Sequence, residues 1–399
     1  MRGTGAVLLA LILLQMPAAW PREVRRDPVT HKIRVLYIGD AWGPTPYTYM
    51  MEEPSFTGTP IPATYRHLGT YSDAQLRQFM RVYMPRTFNA LTTGYDLIIL
   101  SDTNRGLYRT DQLEWFKRSV EDQGMGLMMV GGVEAFGGSD YPSWKGSFVE
   151  DALPVSCVDG KTFGASFRVS SNYPEDPFIR SLPWNTMPPF GGMNVVETKE
   201  GSRVLLQATV DPKYPVLVYW EYGNGSGLAH TPDWTPSWGE SVMYDWEFYP
   251  DYVDNMNFLT AGARIPEDLD LLHVIRTKFG DYFTRRALAI SLLEFVEKFG
   301  AKISSAERSL GQIALIEKNG EELYLDQDYA GALAKLEETE KMFRALSDDT
   351  MKLRERALFW TYVVEWFAVT GTTMVCGGLL WTLMIKRRLY REVKVTRAV

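Results

Sequence analysis

Hydrophobic positions fall into distinct regimes along the chain. In residues 33–38, 95–101 and 126–130 they run almost unbroken, as in parallel strands covered on both faces. Between these runs they recur at helical spacing: Leu76, Phe79, Met80 and Tyr83 make one stripe, and Leu113, Phe116 and Val120 another. Ser72 with Gln75 fits a capping box, Pro85 ends that first helix, and Gly124 offers the second a left-handed cap. Strand, helix, strand, helix, strand in this order implies right-handed crossovers and an α/β fold with a parallel sheet. Residues 155–230 differ: short β-rich runs at 166–170, 203–209 and 216–222 lie between Pro and Gly turns, and are expected to extend the sheet with antiparallel strands.

Beyond residue 265 the pattern becomes helical, over 281–299, 305–325 and 328–346, with a turn at 325–329. Residues 266–356 are read as an α-helical stalk or small bundle. Residues 324–346 resemble half of a tetratricopeptide repeat, but there is no second copy, so no solenoid is expected. Residues 357–385 are nearly uncharged, and those after Glu365 alone supply about the 20 apolar residues that a spanning helix needs. Trp360, Tyr362, Trp366 and Glu365 suit the headgroup layer, and Ala368, Gly371, Thr372, Gly377 and Gly378 would let another helix approach.

The ends complete a membrane topology. Arg2, the apolar run 6–14 and Pro17-Ala18-Ala19 fit a secretory signal over residues 1–19, followed by a linker, 20–32, and an outer domain, 33–265. The basic tail, 386–399, is placed in the cytoplasm by the positive-inside tendency. The expectation is a single-pass membrane protein whose N-terminal domain lies outside the cytoplasm.

Composition narrows the chemistry. The 399 residues are 45% hydrophobic and 23% charged, with a net charge of −7, and no basic-aromatic stripe invites nucleic acid. Of two cysteines, Cys376 falls in the predicted span, leaving Cys157 as a buried small hydrophobe with no disulfide partner in reach. HExxH and CxxC spacings are missing, as are nucleotide-binding glycine motifs at the turn 131–138, so neither zinc nor a nucleotide is expected. Asn224-Gly225-Ser226 is a glycosylation sequon in a predicted hairpin turn.

Parallel strands deliver side chains to a crevice at their carboxyl ends. Asp40 and Trp42, Asp102 and Asn104, and Gly132 and Glu134 are therefore expected to converge, joined by the late strand ending at His230 with Asp233 and Trp238 beyond it. Such carboxylates and an amide could hold a divalent cation or hydrogen-bond a sugar beside the tryptophans. A plainer role for the same residues is structural: Asp40 and Asp102 capping the following turns, Asp233 fixing its Pro-bounded turn, the tryptophans packing. His230 alone among the four histidines sits at a plausible catalytic strand end.

These residues, from the 35–40 strand end through 95–102 and 126–138 to 223–239, resemble the class I glutamine amidotransferase-like superfamily, in particular its membrane-associated "putative glutamine amidotransferase" group. The resemblance covers about residues 33–262. It implies a flavodoxin-like sheet and a nucleophile at the elbow near Gly132 and Val133. Members that hydrolyse glutamine carry Cys there, with a His-Glu pair after a later strand. Here the elbow is Gly132-Val133-Glu134, and His230-Thr231-Pro232-Asp233 echoes the pair only faintly. A thioester route needs an activated thiolate. The expected role is therefore non-enzymatic, a binding or assembly module at the cell envelope that engages a protein partner, a second copy or a carbohydrate, with no cofactor beyond a possible divalent cation. The alternative is a metal-dependent hydrolase or carbohydrate-active enzyme using the strand-end carboxylates.

Overall fold

The computed structural model describes residues 24–41, 45–64, 71–138, 141–266 and 268–395, with side chains to Tyr390. The expected signal segment and Trp42 lie outside these residues. The chain divides into two compact units, Met1–Arg276 and Thr277–Val399.

The first unit is built on a mixed sheet. Its strands are β1 (Ile33–Gly39), β2 (Phe56–Ile61), β3 (Leu97–Ser101), β4 (Gly126–Val130), β6 (Val169–Ser170), β8 (Arg203–Ala208), β9 (Pro215–Tyr222) and β10 (Gly225–His230). Their order among the described residues is β2-β1-β3-β4-β10-β9-β8-β6. The first five run parallel and the last three antiparallel. A separate antiparallel ribbon pairs β5 (Val155–Phe163) with β7 (Met193–Thr198). Flanking helices include Asp73–Tyr83, which carries the expected Ser72 capping box, and Thr110–Glu121, which buries Leu113, Phe116 and Val120. Gly124 follows with φ 73°.

Alternation along the parallel strands separates two cores. Val35, Tyr37, Leu97, Ile99, Met128, Val130 and Leu228 face one side; Leu36, Ile38, Ile98, Leu100, Leu127, Met129 and Ala229 face the other. Trp234 is fully buried in the first core and Trp144 in the second. Each such ring removes about 150–250 Å² from water, several kcal/mol at about 25 cal/mol per Å². The register matters most for function. Gly39 pairs with Ser101, Ser101 with Val130, and Val130 with His230, so four strands end in one row and their next residues emerge side by side.

Three elements depart from the sequence expectation. β2 occupies what reads as a Gly- and Pro-punctuated loop; as an edge strand it tolerates Pro60, because an edge can spare a donor. β5 and β7 form their ribbon outside the main sheet. The helix Tyr249–Thr260 buries residues almost all round, Asp251, Asp254 and Asn255 included, so it carries no amphipathic stripe to read. Arg276 partners that polar set: its Nε donates to Glu53 Oε2 at 2.8 Å, and its guanidinium nitrogens donate to Asp251 at 2.8 Å and Asn255 at 3.2 Å.

The second unit holds the end of the helix Leu269–Lys298, then Ser304–Leu325 and Tyr329–Val395. Tyr282, Leu293, Val296, Ala306, Ile313, Phe343 and Leu346 make its core. The last helix runs 67 residues without a break, joining what the sequence suggests as stalk and span. It is long and apolar enough to cross a membrane, and Trp360, Phe367 and Trp381 on it are exposed.

Candidate functional site

The row of strand ends brings Asp40, Asp102 and Asp233 together. One carboxylate oxygen from each lies within 4.8 Å of the other two, and all three residues are buried. Asp40 follows β1 and Asp102 follows β3, while Asp233 arrives on the loop after β10. Asp102 sits at φ 43°, a left-handed conformation that Asp and Asn tolerate better than most residues. This turn swings its carboxylate over Gly132. A Cβ at Gly132 would stand 2.1 Å from Asp102 Cγ, and its φ is 152°, so the glycine of the elbow is required by the carboxylate beside it.

Surrounding groups fix the cluster. The Glu134 backbone N–H donates to Asp102 Oδ1 at 2.7 Å, and the Thr64 hydroxyl donates to Glu134 Oε1 at 2.7 Å. Asn194 on β7 clamps Gly132, accepting its N–H at 2.9 Å and donating to its carbonyl at 3.0 Å. Asp233 Oδ1 accepts from the Thr235 N–H at 2.8 Å and hydroxyl at 2.7 Å, closing the turn proposed for it on sequence grounds. Trp234 Nε1 donates to Ser101 Oγ at 2.9 Å. Sequence reasoning misses Thr64 and Asn194, because each reaches the site from an element it did not foresee; the Asp233-x-Thr235 spacing was a readable signal for Thr235.

The electrostatics follow from burial. Desolvation, reinforced by the charges of Asp233 and Asp40, holds the Asp102 carboxyl well above the usual carboxylate range, against the Glu134 N–H that favours its charge. Carboxylates this close share a proton or hold a cation. Oxygen ligands about 2.0–2.6 Å from a hard cation lie roughly 3–5 Å from one another, which is the separation of these three. Sealed from solvent, the cluster suits a proton or an ion better than a sugar ring.

The other expected residues are placed differently. His230 Nδ1 donates to the Pro232 carbonyl at 2.9 Å, and its ring is boxed by Phe190, Trp234 and Tyr252. Burial pushes it down to about 3, so it is neutral at ordinary pH. Asn104 caps the short 3-10 turn Arg105–Leu107 through the Gly106 N–H at 2.7 Å. Trp238 is half-buried against Gly192, whose Cβ would meet its ring at 3.0 Å. Asn224 is exposed in the β9–β10 turn, its amide donating to the Asp122 carbonyl at 3.2 Å.

Cys157 lies on β5 in the core opposite the one that holds the His230 ring partners, so the sheet separates thiol from imidazole. Burial pushes its thiol up, away from thiolate, as does neighbouring Glu150. At the elbow itself stand Gly132, Val133 and Glu134.

Comparison with known proteins finds similarity over part of the chain. No curated protein matches the chain. Among solved structures it is similar to two cytoplasmic proteins of Salmonella typhimurium, STM1381 (strain LT2) and STM3548, with 21% and 22% identity. Each match covers 57% of this chain and 99% of the other, with a TM-score of 0.48. It is also similar, at 11% identity and a TM-score of 0.36, to Agd3, a carbohydrate deacetylase, over 58% of this chain and 32% of that one. Residues 77–261 match the GATase1-like family model, described as "Putative glutamine amidotransferase". The matched segment carries β3, β4, the elbow and Asp233.

Proposed function

We propose that this protein is a membrane-anchored, extracytoplasmic module of the cell envelope that has the amidotransferase-like scaffold without its thiol chemistry, and that it acts by binding, as an assembly partner. The observation that carries this reading is the elbow: glycine, valine and glutamate stand where the reaction needs a cysteine, and Cys157 is buried on the far side of the sheet from the His230 ring. The long C-terminal helix supplies the anchor, and the basic residues after it favour a cytoplasmic C-terminus. Two assays test the proposal together. The full chain should release no ammonia from glutamine above a heat-denatured control, and should stay with membranes after alkaline extraction. Glutamine turnover that disappears in Cys157→Ala, or release into the soluble fraction, would each count against it.

A second reading rests on a specific observation, the three converging carboxylates. In it Asp40, Asp102 and Asp233 would hold a divalent cation, which would supply Lewis-acid chemistry for hydrolysis, and Glu134, whose backbone N–H donates to Asp102, would stand beside it as acid or base. A thermal shift with magnesium, calcium or manganese that is lost in Asp102→Asn would favour this reading.

A further inference from the structure

We propose that the turn between the stalk helices Leu269–Lys298 and Ser304–Leu325 is a foot that rests on the anionic surface of the bilayer that the chain itself crosses; this rests on the membrane reading above. The stalk segment of Leu269–Lys298 runs in the same direction as Tyr329–Val395. Lys278 pairs with Glu340 at 3.0 Å, the rings of Tyr282 and Phe343 lie 5.7 Å apart, and Leu292 shares a groove with Thr350. The ion pair and the ring pair join residues 62 and 61 positions apart, so Phe299, one residue past the helix end, lies level with about residues 360–361.

That level is where the apolar span starts. Residues 357–385 make about 44 Å of helix at 1.5 Å per residue, matching the roughly 40–45 Å of a bilayer with its headgroup layers. Residue 357 therefore marks the outer edge of the headgroups, and the turn reaches it.

The chemistry of the turn fits that place. Phe295 is 42% exposed and Phe299 39%, their rings 4.9 Å apart, an apolar pair that the stalk core leaves uncovered. Lys298 and Lys302 flank Phe299-Gly300-Ala301, and residues 298–302 carry no carboxylate. Gly300, at φ 79°, closes the helix: its N–H donates to the Glu297 carbonyl at 2.8 Å and the Ala301 N–H donates to the Val296 carbonyl at 3.2 Å. The tip is thus held as a defined turn. Aromatic rings at headgroup depth with lysines able to reach lipid phosphates are the chemistry of an interfacial contact.

The test uses the full chain in vesicles of phosphatidylcholine and phosphatidylglycerol, in a Cys157→Ala background, with an environment-sensitive fluorophore on one cysteine at a time and nitroxide-labelled lipids as quenchers. Native Cys376 reports the span. Phe299→Cys and Lys302→Cys, each with Cys376→Ser, report the foot, and Leu315→Cys with Cys376→Ser reports the exposed flank of the second stalk helix. The expected result is deep quenching at Cys376, shallow quenching at both foot positions severalfold above Leu315→Cys, and weaker quenching at Phe299→Cys when Lys298 and Lys302 are both replaced by Glu. Quenching at Cys376 with both foot positions no different from Leu315→Cys would overturn the foot alone. No quenching at Cys376 would overturn the membrane reading and the foot with it.

Discussion

Two groups of buried carboxylates lie in the α/β unit, and one is gathered around a guanidinium while the other is gathered at a row of strand ends. Around Arg276, Glu53, Asp251 and Asp254 surround one guanidinium, and His273 adds a second basic group 2.6 Å from Asp251. Burial pushes the Asp251 carboxyl up, but the His273 hydrogen bond and the Arg276 charge outweigh it and hold the group below its usual range, whereas burial drives Asp254, 4.0 Å from the guanidinium, well above its range despite the Arg276 charge. At the strand ends, Asp40, Asp102 and Asp233 meet one another, and Asp102 is driven the other way, up, by burial and by the charges of Asp233 and Asp40. The first arrangement fastens the start of a long helix to the domain. The second gathers three buried carboxylates at one row of strand ends and raises one of them, and perturbed carboxyls of this kind cluster at functional sites.

The sharpest way to break the comparison is to remove the compensating charge. Arg276→Met should destabilise the protein by about 3–5 kcal/mol, since it strands buried carboxylates; a loss under about 1 kcal/mol in urea unfolding would mean that the Arg276 network is not what holds them. Next in size is Gly132→Ala, whose Cβ would collide with the Asp102 carboxylate; a cost of about 2–4 kcal/mol is expected, in the range of strain at a special backbone position.

Asp102→Asn should act in the opposite direction. Asn tolerates the left-handed turn, can still accept the Glu134 N–H and carries no ionisable group to bury beside Asp233 and Asp40. Without added cations it should stabilise the protein at pH 7 by about 1–2 kcal/mol, within the several kcal/mol that like-charge contacts cost. The pH dependence carries the sign. A carboxyl whose folded-state pKa is raised binds its proton more tightly when folded. Wild-type stability should therefore fall as pH rises above about 4, the unfolded value, until the folded group has ionised. The variant should lack this fall, and a fall of equal size in both would remove Asp102 as its source.

The smallest effect belongs to His273→Gln. Its hydrogen bond to Asp251 raises the His273 pKa, so its stabilisation is complete below about pH 6.5 and fades as pH climbs through the raised value. The side chain is partly exposed, and solvent screening limits the effect to about 1 kcal/mol or less. A difference between variant and wild type that grows with pH would contradict this assignment.

How much of this was legible depended on where each residue finds its partners. β1, β3, β4 and the helix Thr110–Glu121 announce themselves through unbroken or periodic apolar runs, and the meeting of Asp40, Asp102 and Glu134 follows from parallel strands ending together. Asp233, expected beyond the late strand ending at His230, joins them because β10 lies beside β4. The Arg276 network was invisible, since Glu53 and Arg276 stand 223 positions apart. Asn194 and Thr64 were missed for the same reason, their roles being set by tertiary pairing.

The most direct test of whether this scaffold has given up its thiol is to offer the full chain a glutamine-mimicking diazoketone and weigh the intact protein. The account predicts no adduct on native Cys157, with labelling by a general thiol reagent only after denaturation opens the core. Covalent modification of Cys157 by the glutamine mimic in the native protein, suppressed by free glutamine, would contradict it.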